Sequence, residues 1–390
     1  MRATERVSLA TLAREWGRLG VIGVGGPPAH VALLRDLCVR RRDWLSPDQF
    51  EDALATVNLL PGPASTQLAL YCAWVVRGVA GVLVGAACFV GPGTLLIVAL
   101  ATLFLQSHPP VVVIGAGAAM SAVVPVVAAQ SARLLVRPSW TRTVESGGSR
   151  GRWAIYVAAG LAGTLLLGPW LVVVILGTGL VELVASSPSS PSTHRGTAVV
   201  GLATKMVAVG VVSGLGALAL EAFKVGALSY GGGFVIIPLM QHDTVVVHHW
   251  MTGWQFSNAV ALGQLTPGPV VQTVAVVGYA AAGYVGAGVA TLIAFTPSVL
   301  FVLLGGPSFE RLRRSSRAQR FLTGSGPAAI GAIAGSALLL ASPLSHLWQV
   351  ALSLGAVMWV MVLGRSSVVS LLGAALLGVG AALLGLPLVH

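Results

Sequence analysis

The chain is 390 residues long, 55% hydrophobic and only 9% charged, whereas an ordinary soluble domain is about a quarter charged. So apolar a chain cannot cover a water-facing surface, which excludes a soluble globular fold and makes a bilayer the fitting solvent. The net charge of +11 lies on Arg residues in polar breaks between apolar runs, with no interleaved aromatics; it reads as membrane topology and contact with lipid headgroups, and nucleic-acid binding is not expected.

In chain order, the first 18 residues carry Arg2, Glu5, Arg6, Arg14, Glu15 and Arg18 without a clean apolar core. They predict a cytoplasmic or interfacial amphipathic helix, and no cleavable leader is expected. Gly20 to Leu34 is apolar but short, split by Gly25-Gly26-Pro27-Pro28 and flanked by Arg on both sides, so it should enter the membrane and return. Ala53 to Val76 is long enough to span, yet Pro61-Gly62-Pro63 cuts it in half. Ala80 to Leu105 and Val111 to Leu135 read as spans. Trp153 to Ser186 would measure about 50 Å as one helix, more than a bilayer core, so two passes bent near Gly168-Pro169 are expected. Residues 186–197 form a Ser/Pro-rich linker. Beyond it the order repeats, followed by apolar segments near 327–342, 346–363 and 366–388. The 49 Gly and 21 Pro suit a membrane bundle, where Gly allows close helix approach and neighbours re-satisfy backbone groups freed by Pro. The three cysteines, Cys38, Cys72 and Cys88, contain no CxxC spacing, so neither a disulfide framework nor a zinc site is expected.

An internal repeat organises the chain. Trp44-Leu45-Ser46-Pro47-Asp48-Gln49-Phe50 returns 206 residues later as Trp250-Met251-Thr252-Gly253-Trp254-Gln255-Phe256. At the same offset Pro61-Gly62-Pro63 becomes Pro267-Gly268-Pro269, and Gly25-Gly26 becomes Gly231-Gly232. Gly78, Gly81 and Pro92 match Gly283, Gly286 and Pro297 at an offset of 205. The charges swap between copies. Arg35, Arg40, Arg41 and Arg42 precede Trp44, but no Lys or Arg lies between Gln241 and Trp250. The break at Gln106 to Pro110 has none, and its counterpart has Arg311, Arg313, Arg314, Arg317 and Arg320. The loop carrying Arg133, Arg137, Arg142, Arg150 and Arg152 corresponds to an arginine-free stretch from Ser342 to Gln349. Because positive loops stay cytoplasmic, the copies should face opposite ways across the membrane. The expected fold is an all-α polytopic membrane protein of two inverted repeats with broken or re-entrant helices, residues 1–185 and 198–390. Such repeats suit a transporter with its site near the midplane, working by alternating access.

The motifs resemble the chromate ion transporter family in its long-chain, two-domain form. In the first half the resemblance rests on Gly25-Gly26-Pro27-Pro28-Ala29-His30, Arg42-Asp43-Trp44-Leu45, Leu60-Pro61-Gly62-Pro63-Ala64-Ser65-Thr66-Gln67 and Phe89-Val90-Gly91-Pro92. In the second it rests on Ser229-Tyr230-Gly231-Gly232 and Gly263-Gln264-Leu265-Thr266-Pro267-Gly268-Pro269. It covers about residues 12 to 305. Val24 stands where the family usually has Phe, and Cys72-Ala73-Trp74 replaces a more usual Gly-aromatic stretch; both bear on selectivity more than on fold. The resemblance implies export of chromate across the bacterial inner membrane, with sulfate or another anion as the alternative substrate.

Physically, Pro-Gly-Pro in an apolar span stops one half-helix and starts another, since Pro lacks the N–H but suits a first helical turn. The free N–H groups expected after Pro63 belong to Ala64, Ser65, Thr66 and Gln67, and those after Pro269 to Val270, Val271, Gln272 and Thr273. Two such helix starts can hold a dianion without a full positive charge in the membrane; a mere kink is the competing reading. Gly25, Gly26, Gly231 and Gly232 fit tight turns that let backbone approach a ligand, or close helix packing. Lys224 either lies on an anion path or pairs with Glu221, the pairing being favoured. His30 reads first as a packed, hydrogen-bonded residue and second as an anion or proton site. Together with Gln264, Thr266 and the two Pro-Gly-Pro turns, these are the candidate substrate-binding residues. No catalytic residue, metal or cofactor is expected: HExxH is absent, and His242, His248 and His249 lack ligand spacing. A membrane-embedded enzyme is therefore the weaker class. A homodimer is left open.

Overall fold

The computed structural model describes residues 7–57, 62–106, 108–145, 148–185, 214–229, 233–305, 315–344 and 346–387; Pro61, Gly231, Gly232 and the linker 186–197 lie outside them. Every regular element among the described residues is helical. Among the described residues, four helices are long and apolar enough to cross a membrane: Ala64–Phe104, Val111–Glu145, Val270–Gly305 and Ser316–Ala341. The chain is a multi-pass, all-α membrane protein.

The first half contains α1 (Leu9–Ile22), α2 (Pro27–Arg35), α3 (Pro47–Val57), α4 (Ala64–Phe104), α5 (Val111–Glu145), α6 (Arg150–Leu167) and α7 (Leu171–Ala185). The second contains α8 (Leu215–Leu228), α9 (Ile237–Gln241), α10 (Gly253–Leu265), α11 (Thr273–Gly305), α12 (Ser316–Ala341), α13 (Leu347–Ala356) and α14 (Ser367–Leu383).

Ser8 starts α1 by accepting the Thr11 N–H at 3.1 Å. Its apolar face, with Leu12, Trp16 and Leu19 buried, packs on α4, and the Trp16 indole donates to the Ala69 carbonyl at 3.1 Å. The amphipathic start of the chain is thus covered by protein, because α4 supplies a partner for its apolar stripe.

The repeat is legible residue by residue. The motif that recurs from Trp44 to Phe50 and from Trp250 to Phe256 opens a helix in both copies. Ser46 and Gln49 exchange backbone-to-side-chain bonds of 3.0 and 3.2 Å, and Thr252 and Gln255 do the same at 2.8 and 3.2 Å. Both are capping boxes, which is why Ser/Thr and Gln recur three apart. Each copy has a π-helical turn before this motif, Asp36–Arg41 and His242–Val247, closed by a left-handed residue, Asp43 (φ 50°) and His249 (φ 52°).

At 41 residues, α4 would measure about 60 Å if straight, twice a bilayer core. It is not straight. Arg77 and Gly78 leave helical geometry, as do Ala282 and Gly283 in α11. Residues eight apart in an unbroken helix are about 12 Å apart. Here a Cβ on Gly81 would run into the Ala73 carbonyl, and one on Gly286 into the Gly278 carbonyl. Each chain therefore turns back on itself. A short arm, 64–76 or 273–281, packs tightly on a long one, 79–104 or 284–305; the turn falls at Gly78 and Gly283, whereas the expected hairpin was broken at the Pro-Gly-Pro residues.

Elements are exchanged between halves. α6 and α7 pack on α12, while α13 and α14 pack on α5. Glycines let the backbones meet: Cβ atoms on Gly160 and Gly331 would strike the carbonyls of Ala328 and Val157, and those on Gly115 and Gly378 would strike each other's carbonyls. The stretch from Trp153 to Ala185 bends at Gly168–Trp170 into two helices, as its length required. The expected loop charges are largely helical. Arg133, Arg137 and Arg142 lie in α5, which continues to Glu145 despite Pro125 and Pro138 inside it, Arg150 and Arg152 open α6, and Arg317 and Arg320 lie in the first turns of α12.

Candidate functional site

The two Pro-Gly-Pro turns sit at the centre of the exchange. Gly62 (φ 109°) and Gly268 (φ 111°) take the same left-handed-side conformation, open only to Gly without strain. Each turn leans on the other copy. A Cβ on Gly62 would lie 3.2 Å from the Gly226 carbonyl of α8, and the Gly268 N–H donates to the Gly23 carbonyl, just past α1, at 2.9 Å.

The expected supply of free donors is smaller than four per turn. Thr66 and Gln67 N–H groups donate to the Pro63 carbonyl at 2.9 and 3.0 Å, and that of Gln272 donates to the Pro269 carbonyl at 2.9 Å. Thr273 likewise donates within the single 3-10 turn Val270–Gln272 that precedes α11. The helical ladder claims the third and fourth donors as soon as the turn closes. Ala64, Ser65, Val270 and Val271 remain at the helix starts.

A cavity of about 340 Å³ opens beside both turns. Its walls include Pro28 and Phe234, and Ala64 and Val270, pairs that stand 206 residues apart. Equivalent positions of both copies thus face one space, which lies where the copies meet. Four helix starts border it: Pro27 and Pro28 of α2, Ala64 of α4, Val270 leading into α11, and Ser367 of α14. Helix N-termini carry partial positive charge and spare N–H groups. α5 forms a long wall through Gln130, Ser131, Leu134, Pro138 and Arg142.

Polar atoms are left without partners around this space. Gln264 Nε2 and Gln130 Oε1, on cavity-lining residues, are buried and unbonded. Close to the turns, so are Thr66 Oγ1, Ser229 Oγ, Ser298 Oγ and Gln272 Oε1. Ser298 would lie 3.5 Å from a Cβ on Gly62, and Ser229 3.6 Å from one on Gly233. Buried polar atoms are ordinarily satisfied, so a cluster of exceptions marks a place where another polar species fits.

Of the residues singled out from sequence, Gly25, Gly26, Gly62 and Gln264 line the cavity. Pro63, Pro267, Gly268 and Pro269 shape the turns. Ser65 and His30 are joined: His30 Nδ1 lies 3.2 Å from Ser65 Oγ, its Nε2 2.8 Å from the Gly23 carbonyl, and its ring stands edge-on to Phe89. With Nε2–H donating to Gly23, Nδ1 accepts from Ser65, so both nitrogens are occupied. His30 ties the end of α1, α2 and the start of α4 together. The hydroxyls of Thr266 and Thr273 return to the Leu262 and Val270 carbonyls, both at 2.8 Å, and Gln272 Nε2 donates to the Val90 carbonyl at 2.9 Å. Lys224 is not brought to the cavity. It bonds Glu221 at 3.2 Å and Asp243 at 2.7 Å, with both carboxylates nearly buried. Glu15, the counterpart of Glu221, pairs with Arg42.

The family model of the chromate transporter matches residues 10–183 and 216–379. The chain belongs to the chromate transporter family. The two matched stretches begin 206 residues apart, the spacing of the repeat. The chain is 31% identical over 350 residues to a probable chromate transport protein of Synechococcus elongatus, covering 87% of this chain and 86% of that one. It is 32% identical to a chromate transport protein of Cupriavidus metallidurans (86% and 83% covered) and 28% identical to one of Pseudomonas aeruginosa (83% and 79%). No solved structure matches the chain. In this chromate transporter family member, sequence reasoning missed Gln130, Ser131 and Arg142, because α5 carries no motif and Arg142 was counted as a loop charge. Helical periodicity offered no signal either: nine residues apart, Arg133 and Arg142 lie on opposite sides of α5.

Proposed function

We propose that this protein exports chromate, or a closely similar tetrahedral dianion such as sulfate, from the bacterial cytoplasm across the inner membrane. The observation that carries this reading is the cavity bordered by four helix starts and by equivalent residues of both repeats. A dianion with four oxygens is stabilised there by several partial charges, with Gln264 and the hydroxyls beside the turns completing its coordination. Residues 1–185 and 198–390 form two inverted repeats, and the cavity opens alternately to each side as the short hairpin arms rock against the long ones. The names of the relatives and the arginines that swap position between the copies support the same reading.

The membrane potential supplies the driving force. Two negative charges leaving a negative interior gain about 4.6 kcal/mol per 100 mV, roughly a thousandfold gradient. Proteoliposomes loaded with chromate test this directly: an inside-negative potential should accelerate release, and no acceleration would remove potential-driven export. Excess sulfate added to the same vesicles should compete if the site reads only shape and charge, because the two ions are nearly isosteric.

A further inference from the structure

We propose that Arg142 is the residue that first captures the substrate dianion, at the mouth of the cavity, and so sets apparent affinity rather than turnover. This deepens the transport reading and rests on it.

The cavity is not closed. Its α5 wall runs from Val127 to Arg142, about 22 Å along the helix axis, from the Pro-Gly-Pro turns to the C-terminal part of α5. There it meets an open groove lined by Arg133, Arg137, Thr141, Arg142 and Glu145. Leu134, Pro138 and Arg142 belong to both spaces, so Arg142 is the cation standing where groove becomes cavity.

Three other arginines here have structural partners. Arg133 donates to the Met361 carbonyl, Arg150 lies over the Trp140 ring, and Arg152 pairs with Glu182. Among the described residues no ion pair is made by Arg142 or Arg137, although Glu145 shares the groove. Two guanidiniums without an ion pair, one turn and a fraction apart, outnumber Glu145 and, beside low-dielectric walls, focus field lines into the opening and raise local anion concentration. Guanidinium also matches two oxygens of a tetrahedral oxyanion in one plane. Beyond Arg142 the cavity offers only partial charges, so the ion is drawn in by a full charge and then held by helix starts, from which it can leave.

The test is chromate flux in proteoliposomes, with Arg142→Gln and Arg142→Lys compared with wild type over a range of ionic strength. Arg142→Gln should raise KM about tenfold or more, leave kcat within about twofold, and flatten the salt dependence of KM; Arg142→Lys should recover most of both. An unchanged KM and salt slope in Arg142→Gln, with wild type transporting normally, overturns the inference while leaving the transport reading intact. A lipid phosphate is the other ligand this chemistry fits. If replacing anionic by zwitterionic lipid reproduces the Arg142→Gln defect in wild type, lipid anchoring explains the residue and the inference fails. If wild type moves neither chromate nor sulfate, the transport reading itself falls.

Discussion

At the residue scale, the site depends on positions where one atom decides the outcome. Gly268 holds a φ of 111°, and a Cβ there would lie 2.7 Å from Gln272 Oε1. Gly268→Ala combines backbone strain of about 1–3 kcal/mol with displacement of Gln272, and should abolish most transport while the protein still inserts. Flux normalised to purified protein measures this. Thr66 is the opposite case. Its buried hydroxyl has no partner, so Thr66→Val should leave stability within about 1 kcal/mol. A raised KM would place that hydroxyl on the substrate; an unchanged KM removes it from the site. Lys224 was legible as a pairing residue through Glu221 at i,i+3, but Asp243 was not, because nineteen residues separate it from Lys224. Lys224→Met leaves two nearly buried carboxylates facing each other. It should lower stability by about 2–3 kcal/mol, at the low end for a broken buried pair because Lys224 is about a third exposed. A denaturation series in detergent that showed no loss would mean that water already screens the cluster.

At the element scale, glycine makes the hairpins. Gly286 sits against the Gly278 carbonyl, so Gly286→Val must force the arms of α11 apart. The expected result is loss of the monodisperse peak in size-exclusion chromatography, a folding defect rather than a kinetic one. Pro267→Ala acts differently. The turn at Pro267 to Pro269 ends α10, whose last carbonyls and the following helix start are fixed by Pro chemistry. Removing one Pro should let helix continue into the turn and impair flux with normal insertion; full activity would show that the break does not build the site. The breaks themselves were readable in the sequence because Pro and Gly act locally. The number of free donors was not, because it depends on how tightly the first turn closes.

At the scale of the whole molecule, the halves interlock: α6 and α7 complete the packing of α12, and α13 and α14 that of α5. Neither α5 nor α12 is covered mainly by its own half. Expressed separately, residues 1–185 and 198–390 should fail to accumulate, whereas co-expression should restore copurification and flux; a stable, isolated half would contradict the exchange. Sequence alone determined the membrane class, the duplication, the broken spans and the turn residues, because composition, loop charge, Pro and Gly act through solvent transfer and local backbone geometry. Tertiary structure alone decided the rest. It placed Pro28 with Phe234 and Ala64 with Val270 on one cavity, brought Asp243 to Lys224, and turned Arg142 from a loop charge into a wall of the opening. These relations join residues remote along the chain, and only the close glycine-to-backbone packing of one copy on the other fixes which of them meet.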